Sequence, residues 1–166
     1  MITIGIDPGT ALLGFGVIRS NDESELLDYG VVETGSSSPM PARLNHLYDT
    51  VRKLIERYQP DVLAIEQLFF ARNVTTAIAV GQARGVVLLA AAQHGVPVVE
   101  YSPSEVKQAV VGYGKADKAQ MQEMVRIILN LDAAPQPDDA ADALAVALCH
   151  VQHAAFAQRA AESLPQ

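Results

Sequence analysis

Ile2, Ile4 and Ile6 alternate with Thr3 and Gly5 and stop at Asp7-Pro8-Gly9, the two-residue period of a strand that ends in a turn. Further strands are predicted over Gly14 to Arg19 and Leu26 to Glu33, joined by a turn at Asn21-Asp22, so the chain opens as an antiparallel meander. Ser36-Ser37-Ser38-Pro39 reads as a loop. Leu44, Leu47, Tyr48, Val51, Leu54, Ile55 and Tyr58 then recur at helical spacing, and Gln59-Pro60 closes that segment. Val62 to Ile65 is an unbroken apolar run ending at Glu66, as expected of a strand covered on both faces. A second helix over about Asn73 to His94 is stopped by Gly95. Val96 to Val99 gives a fifth strand, with Pro97 marking a strand start or a sheet edge. Helices over Ser104 to Val111, Asp117 to Asn130 and Asp139 to His153 complete an α/β pattern, with Pro135 and Pro137 before the last.

Composition narrows this to one compact domain: 166 residues, 49% hydrophobic and 19% charged, are too apolar for a disordered tail. A domain of this size buries roughly 70% of its unfolded surface, so it needs no disulfide or structural metal, and the lone Cys149 cannot form an internal disulfide. The domain is expected over residues 1–155, with 156–166 a fraying C-terminal tail. Met1 to Asp7 has neither a basic segment nor a long apolar one, so no signal peptide is expected and a reducing cytoplasm fits. The most apolar stretch, Val74 to Ala92, contains Gln82 and Arg84, which argues against a membrane span. A net charge of -7 argues against binding nucleic acid by bulk electrostatics. The charge is polarised, however: residues 20–42 carry acids and no base, whereas Arg72, Arg84, Lys107, Lys115, Lys118 and Arg126 lie within 67–127.

Two acids end predicted strands, Asp7 and Glu66, where open α/β sheets build sites. Two places earlier on the same strand faces stand Gly5 and Ala64, small enough to admit another element, and the last helix is rich in alanine. That helix begins with Asp139 and Asp142, neighbours on its surface. Four carboxylates within ~6 Å would repel by roughly 3 kcal/mol per pair at an effective dielectric of about 20, so such a cluster demands cations. Two Mg²⁺ ions per site, with Mn²⁺ as a substitute, suit an all-oxygen donor set and the hydrolysis of a phosphodiester. Each piece also has an ordinary reading: Asp7-Pro8-Gly9 as turn chemistry, and Asp139-x-x-Asp142 as a helix cap. Glu66 is harder to explain that way, since a carboxylate ending a buried strand is costly without a partner.

The motifs Ile4-Gly-Ile-Asp-Pro-Gly-Thr10, Gly14-Phe-Gly16, Ile65-Glu-Gln-Leu-Phe-Phe-Ala-Arg-Asn73, Gly81-Gln-Ala-Arg-Gly85, Val106-Lys-Gln108, Val110-Val-Gly-Tyr-Gly114 and Ala140-Ala-Asp-Ala-Leu144 occur in order. Together they resemble the RuvC family of crossover (Holliday) junction endodeoxyribonucleases over about residues 1–153. The resemblance implies a ribonuclease H-like α/β fold, a mixed five-stranded sheet flanked by helices. It implies catalytic, metal-holding acids at Asp7, Glu66, Asp139 and Asp142, with Lys118 as a catalytic cation near them whose charge would hold phosphate or stabilise developing negative charge. The run Pro137-Asp-Asp-Ala-Ala-Asp142 carries one acid more than that pattern, so Asp138 competes with Asp139 for the ligand position.

The resemblance further implies a homodimer that nicks two strands of like polarity in four-way junction DNA, working with the RuvA-RuvB branch-migration complex. Ala77, Ala79, Gly81, Ala83 and Gly85 would let second helices approach closely, with Ile78, Val80, Val86 and Leu89 adding apolar area; core packing is the other reading. Phe69 and Phe70 would stack on unpaired bases, with core packing again the alternative. Lys107 and Lys118 would hold phosphate, and Arg72, Arg84 and Lys115 are further candidates for contacts to the DNA backbone. Cys149, His150 and His153 read as structural. Competing functions are an actin-like ATPase lobe, for which 166 residues supply only one of two lobes; a ribosomal-RNA processing nuclease; and a junction-binding scaffold without catalysis.

Overall fold

The computed structural model describes residues 1–21, 23–67 and 74–163. Five strands, β1 (Ile2–Asp7), β2 (Leu12–Ser20), β3 (Ser24–Glu33), β4 (Val62–Glu66) and β5 (Val98–Tyr101), form one sheet in the order β3-β2-β1-β4-β5. The first three pair antiparallel, as the expected meander, while β1 with β4 and β4 with β5 are parallel. The sheet is therefore mixed. Parallel neighbours need long crossovers, supplied by α1 (Met40–Tyr58) and α2 (Val74–Gln93).

Alternate side chains divide the sheet into two packed faces. Ile4, Ile6, Leu63 and Ile65 join Leu47, Val51, Val87 and Ala90 of α1 and α2 in one cluster. The opposite face is covered by α5 (Asp138–Glu162), flanked by α3 (Pro103–Val111) and α4 (Lys118–Ile128), where Ala64 packs with Leu144, Ala147 and Leu148. By length and composition α2 and α5 could each cross a membrane. Instead, α5 is buried from Ala143 to Cys149 and α2 rests on the sheet through Ala83, Val87, Ala90 and Ala91.

Three boundaries differ from the sequence pattern for identifiable reasons. The fifth strand begins at Val98 rather than Val96, because Pro97 has no amide hydrogen and contributes only its carbonyl, which accepts from Leu63 N at 2.9 Å. α3 starts a residue early because Ser102 and Glu105 form a reciprocal capping box. α5 runs through Glu162 instead of stopping at His153. Residues 156–162 of the expected tail are therefore helical, as alanine-rich sequence favours, with Phe156 76% exposed.

Candidate active site

Parallel pairing sets the first two acids side by side. Ile6 stands opposite Ile65, so Asp7 and Glu66, the next residues, leave the sheet together from adjacent strand ends. Both side chains point to the face covered by α5, because Gly5 and Ala64 precede them by two. α5 comes unusually close: a Cβ on Gly5 would collide with the main chain of Ala143 and Ala147, and one on Gly14 with the carbonyl of Asp139. Gly14 is the residue paired with Asp7. The first turn of α5 is in this way laid directly across the strand ends, bringing Asp139 and Asp142 to Asp7.

These acids do not cap their helix. The N-cap of α5 is Pro137, with no side-chain capping bond, whereas α3 and α4 both begin with complete capping boxes. Nor does Asp7 spend its carboxylate on turn hydrogen bonds among the described residues. The capping and turn readings of the sequence therefore fall away.

What remains is uncompensated negative charge. Burial, then the charges of Asp142, Glu66 and Asp139, pushes the Asp7 carboxyl up from 3.8 to about 7, against a smaller opposing pull from Lys118. Burial also raises Glu66, with Asp142 adding to the rise and Lys107 opposing it. Burial raises Asp142 too, countered by Lys118. The Lys118 ammonium lies 3.0 Å from Asp138 Oδ2 and 3.4 Å from Asp142 Oδ2. A cavity of about 260 Å³ opens beside these groups, lined by Glu66, Lys107, Lys118 and Asp142 with Val106 and Met121 as an apolar wall.

This donor set fits hard divalent cations. Four carboxylates supply only oxygen, and their mutual repulsion is the imbalance a cation relieves. Among the described residues no three acidic, histidine or cysteine side chains already stand in coordinating geometry; Lys118 acts on Asp7 and Asp142, and Lys107 on Glu66.

The structure sorts the remaining expectations. Asp138 is exposed, and its bonds to Lys118 and to Gln122 Nε2 at 2.8 Å hold its carboxyl below the usual range. The charge of Asp139 raises Asp7, while that of Asp138 is felt at Asp142. Lys107 is at the cavity as expected, but Lys115 is exposed in the loop before α4 and does not line it. Arg84 turns inward, bonded to protein rather than free for DNA. Phe69, Phe70 and Arg72 lie outside the described residues. His150 Nδ1 meets the Tyr101 hydroxyl at 2.8 Å and His153 packs on the same ring, so both are structural. Burial pushes the Cys149 thiol up to about 12, unsuited to nucleophilic work. Sequence reasoning assigned Arg84 to the DNA backbone rather than to Glu66 and Glu100 and missed the role of Gly14; a glycine paired with the strand-end acid was the available signal for the latter.

A mixed sheet in this order, with acids from two central strand ends and a helix laid over them, defines a ribonuclease H-like α/β protein with a carboxylate centre. The family model described as Crossover junction endodeoxyribonuclease RuvC matches residues 3–150, and the chain belongs to that family. A crossover junction endodeoxyribonuclease RuvC of Thermomicrobium roseum is 58% identical over 158 residues, covering 95% of this chain and 97% of its own. One of Chloroflexus aggregans is 58% identical over 160 residues, with coverage of 96% and 98%. A structure of Thermus thermophilus RuvC in complex with a Holliday junction substrate matches with a TM-score of 0.91 and 42% identity, over 95% of this chain and 96% of that one.

Proposed function

We propose that this protein is a Holliday junction resolvase, a structure-selective endonuclease that makes paired, symmetric nicks in four-way DNA junctions during recombination and repair. The observation that carries this reading is geometric: Asp7 and Glu66 leave adjacent parallel strand ends and the first turn of α5 lays Asp139 and Asp142 over them, a crowding that also raises the Asp7 carboxyl. Such frustration has a purpose in a centre built to receive cations. Asp7, Glu66, Asp139 and Asp142 would hold two Mg²⁺ ions, or Mn²⁺ in their place. When bound, such a pair activates a water and stabilises the leaving oxygen of a phosphodiester.

The chain's own residues supply orientation and charge. Asp7 and Glu66 are fixed by strand ends and Asp139 and Asp142 by one helical turn, so the four carboxylates converge without long, mobile connections. Lys118, half-exposed beside the acids, would meet the scissile phosphate and offset charge developing on it. Lys107, on the cavity wall, would hold the neighbouring backbone. Phe69 and Phe70 would stack on bases unpaired at the crossover, each such contact being worth ~1 to 3 kcal/mol.

Two symmetric cuts require two such sites. We infer a homodimer formed through α2, whose outward face presents Val74, Ile78 and Leu89, 71%, 59% and 51% exposed, around the open surface at Gly85. Ala83 and Val86, also expected in that interface, instead pack into the core. Membership of the family supports the RuvA-RuvB branch-migration complex as a partner and the cytoplasm as the compartment.

The test is cleavage of a synthetic four-way junction and of a linear duplex of the same sequence, each with Mg²⁺ or with chelator. Paired nicks confined to the junction and dependent on metal are expected. Binding without nicks would favour a scaffold, and equal cutting of the duplex would remove the junction specificity.

A further inference from the structure

Arg84 stands on α2, across the sheet from α5, yet its guanidinium reaches the rim where β4 ends. Nη1 donates to the main-chain carbonyl of Glu66 at 2.8 Å, and Nη2 pairs with Glu100 Oε1 at 2.5 Å. The side chain is 11% exposed, so little of it is offered to solvent. Glu100 is paired with Ile65 and shares its face of the sheet, the face on which α2 lies. One residue beyond Glu66, the Gln67 amide donates to Tyr101 O at 2.8 Å, the last rung of this strand pair. The peptide that follows Glu66 is thereby gripped twice, at its carbonyl by α2 and at its amide by β5.

We propose that Arg84 is a positioning residue for Glu66. By fixing that peptide it sets the direction in which the Glu66 carboxylate leaves the strand, toward Asp142 and Asp7. Glu100 orients the guanidinium. The planar fork of arginine bridges a carbonyl and a carboxylate at once, which a lysine ammonium does with one point charge and less directionality. Because α2 also carries the outward apolar face, the contact joins that helix to the acid centre through a single side chain. The inference rests on reading the acids as a nuclease site, and a displacement of about 1 Å in such a site can cost ~100-fold in rate.

The full-length chain with Arg84→Ala, Arg84→Lys or Glu100→Gln tests this by three measurements. In Arg84→Ala, exchange of the Gln67 amide should accelerate at least ~10-fold while the amide of Ile4 in β1 is unchanged. Junction binding in chelator should stay within about twofold of wild type, and single-turnover cutting should fall ~10- to 100-fold. Arg84→Lys should recover part of the rate. Glu100→Gln, which leaves the carbonyl contact in place, should lie between, and it carries the test if Arg84→Ala does not fold. Wild-type cutting despite faster Gln67 exchange would overturn the proposal. So would acceleration of all amides together with lost cutting, which marks general destabilisation, or lost junction binding, which marks a DNA contact. A wild-type chain that cuts no junction would instead defeat the resolvase reading and leave the exchange result standing.

Discussion

Asp7 of β1 and Gly14 of β2 face one another in the sheet, and the space a side chain would take on Gly14 is filled by the main-chain carbonyl of Asp139. Gly14→Ala is therefore expected to lift the start of α5 off the strands. Overpacking of this kind costs about 1 to 3 kcal/mol, read as a lower thermal midpoint. Junction cutting should fall at least tenfold while junction binding changes little. Unaltered cutting would mean that α5 can shift without moving its acids.

The extra acid of the Asp138-Asp139 pair yields to a direct comparison. Asp138→Asn breaks only exposed bonds to Lys118 and Gln122, so cutting should remain within a few-fold of wild type. Asp139→Asn removes a charge that acts on Asp7, and should reduce cutting by two or more orders of magnitude, comparable to Asp7→Asn. Reversal of these two results would move the ligand role to Asp138.

Asp7 makes stability without divalent metal depend on pH in a definite direction. The folded chain holds its proton up to about pH 7, whereas the unfolded chain releases it near 3.8. Between those values the folded state binds more protons, so its stability falls as pH rises and the loss is complete above about 7. Partial access to water discounts the full shift, leaving on the order of 2 to 4 kcal/mol. Asp7→Asn should remove this slope in chelator, raise the melting temperature at pH 8, and abolish cutting with binding retained. Conversely, Mg²⁺ affinity should climb with pH through the same interval. A flat melting profile from pH 4 to 8 would refute this account of Asp7.

Lys118 touches two carboxylates and is half-exposed, which leaves it within reach of a phosphate as proposed above. Lys118→Met should slow cutting ~10- to 100-fold and reduce the slope of log affinity against log salt by about 1, the signature of one lost phosphate contact. An unchanged salt slope would confine Lys118 to its protein partners.

The strands and helices were legible because their apolar periods are strong: Ile2-Ile4-Ile6 and Leu44 to Tyr58 each announce one face of one element. The acids at the strand ends, and the need for small residues beneath them, were legible for the same reason. Less was available where geometry depends on partners distant in sequence. Nothing local to Arg84 tells whether its guanidinium meets DNA or the carbonyl of Glu66, and the inward answer comes from the packing of α2 beside β4 and β5. Gly14 looked like part of a motif, yet its purpose appears only when a helix more than a hundred residues later is laid on it. The difference in surroundings between Asp138, bonded to Lys118 and Gln122, and Asp139, whose charge acts on Asp7, likewise depends on the placement of α5.

α5 carries two of the acids in its first half and, through Ala143 to Cys149, fills the centre of the molecule. Cutting ability and structural integrity thus reside on one rod. A chain that has lost its interior has also scattered these carboxylates, so unfolding and dispersal of the acid centre are one event.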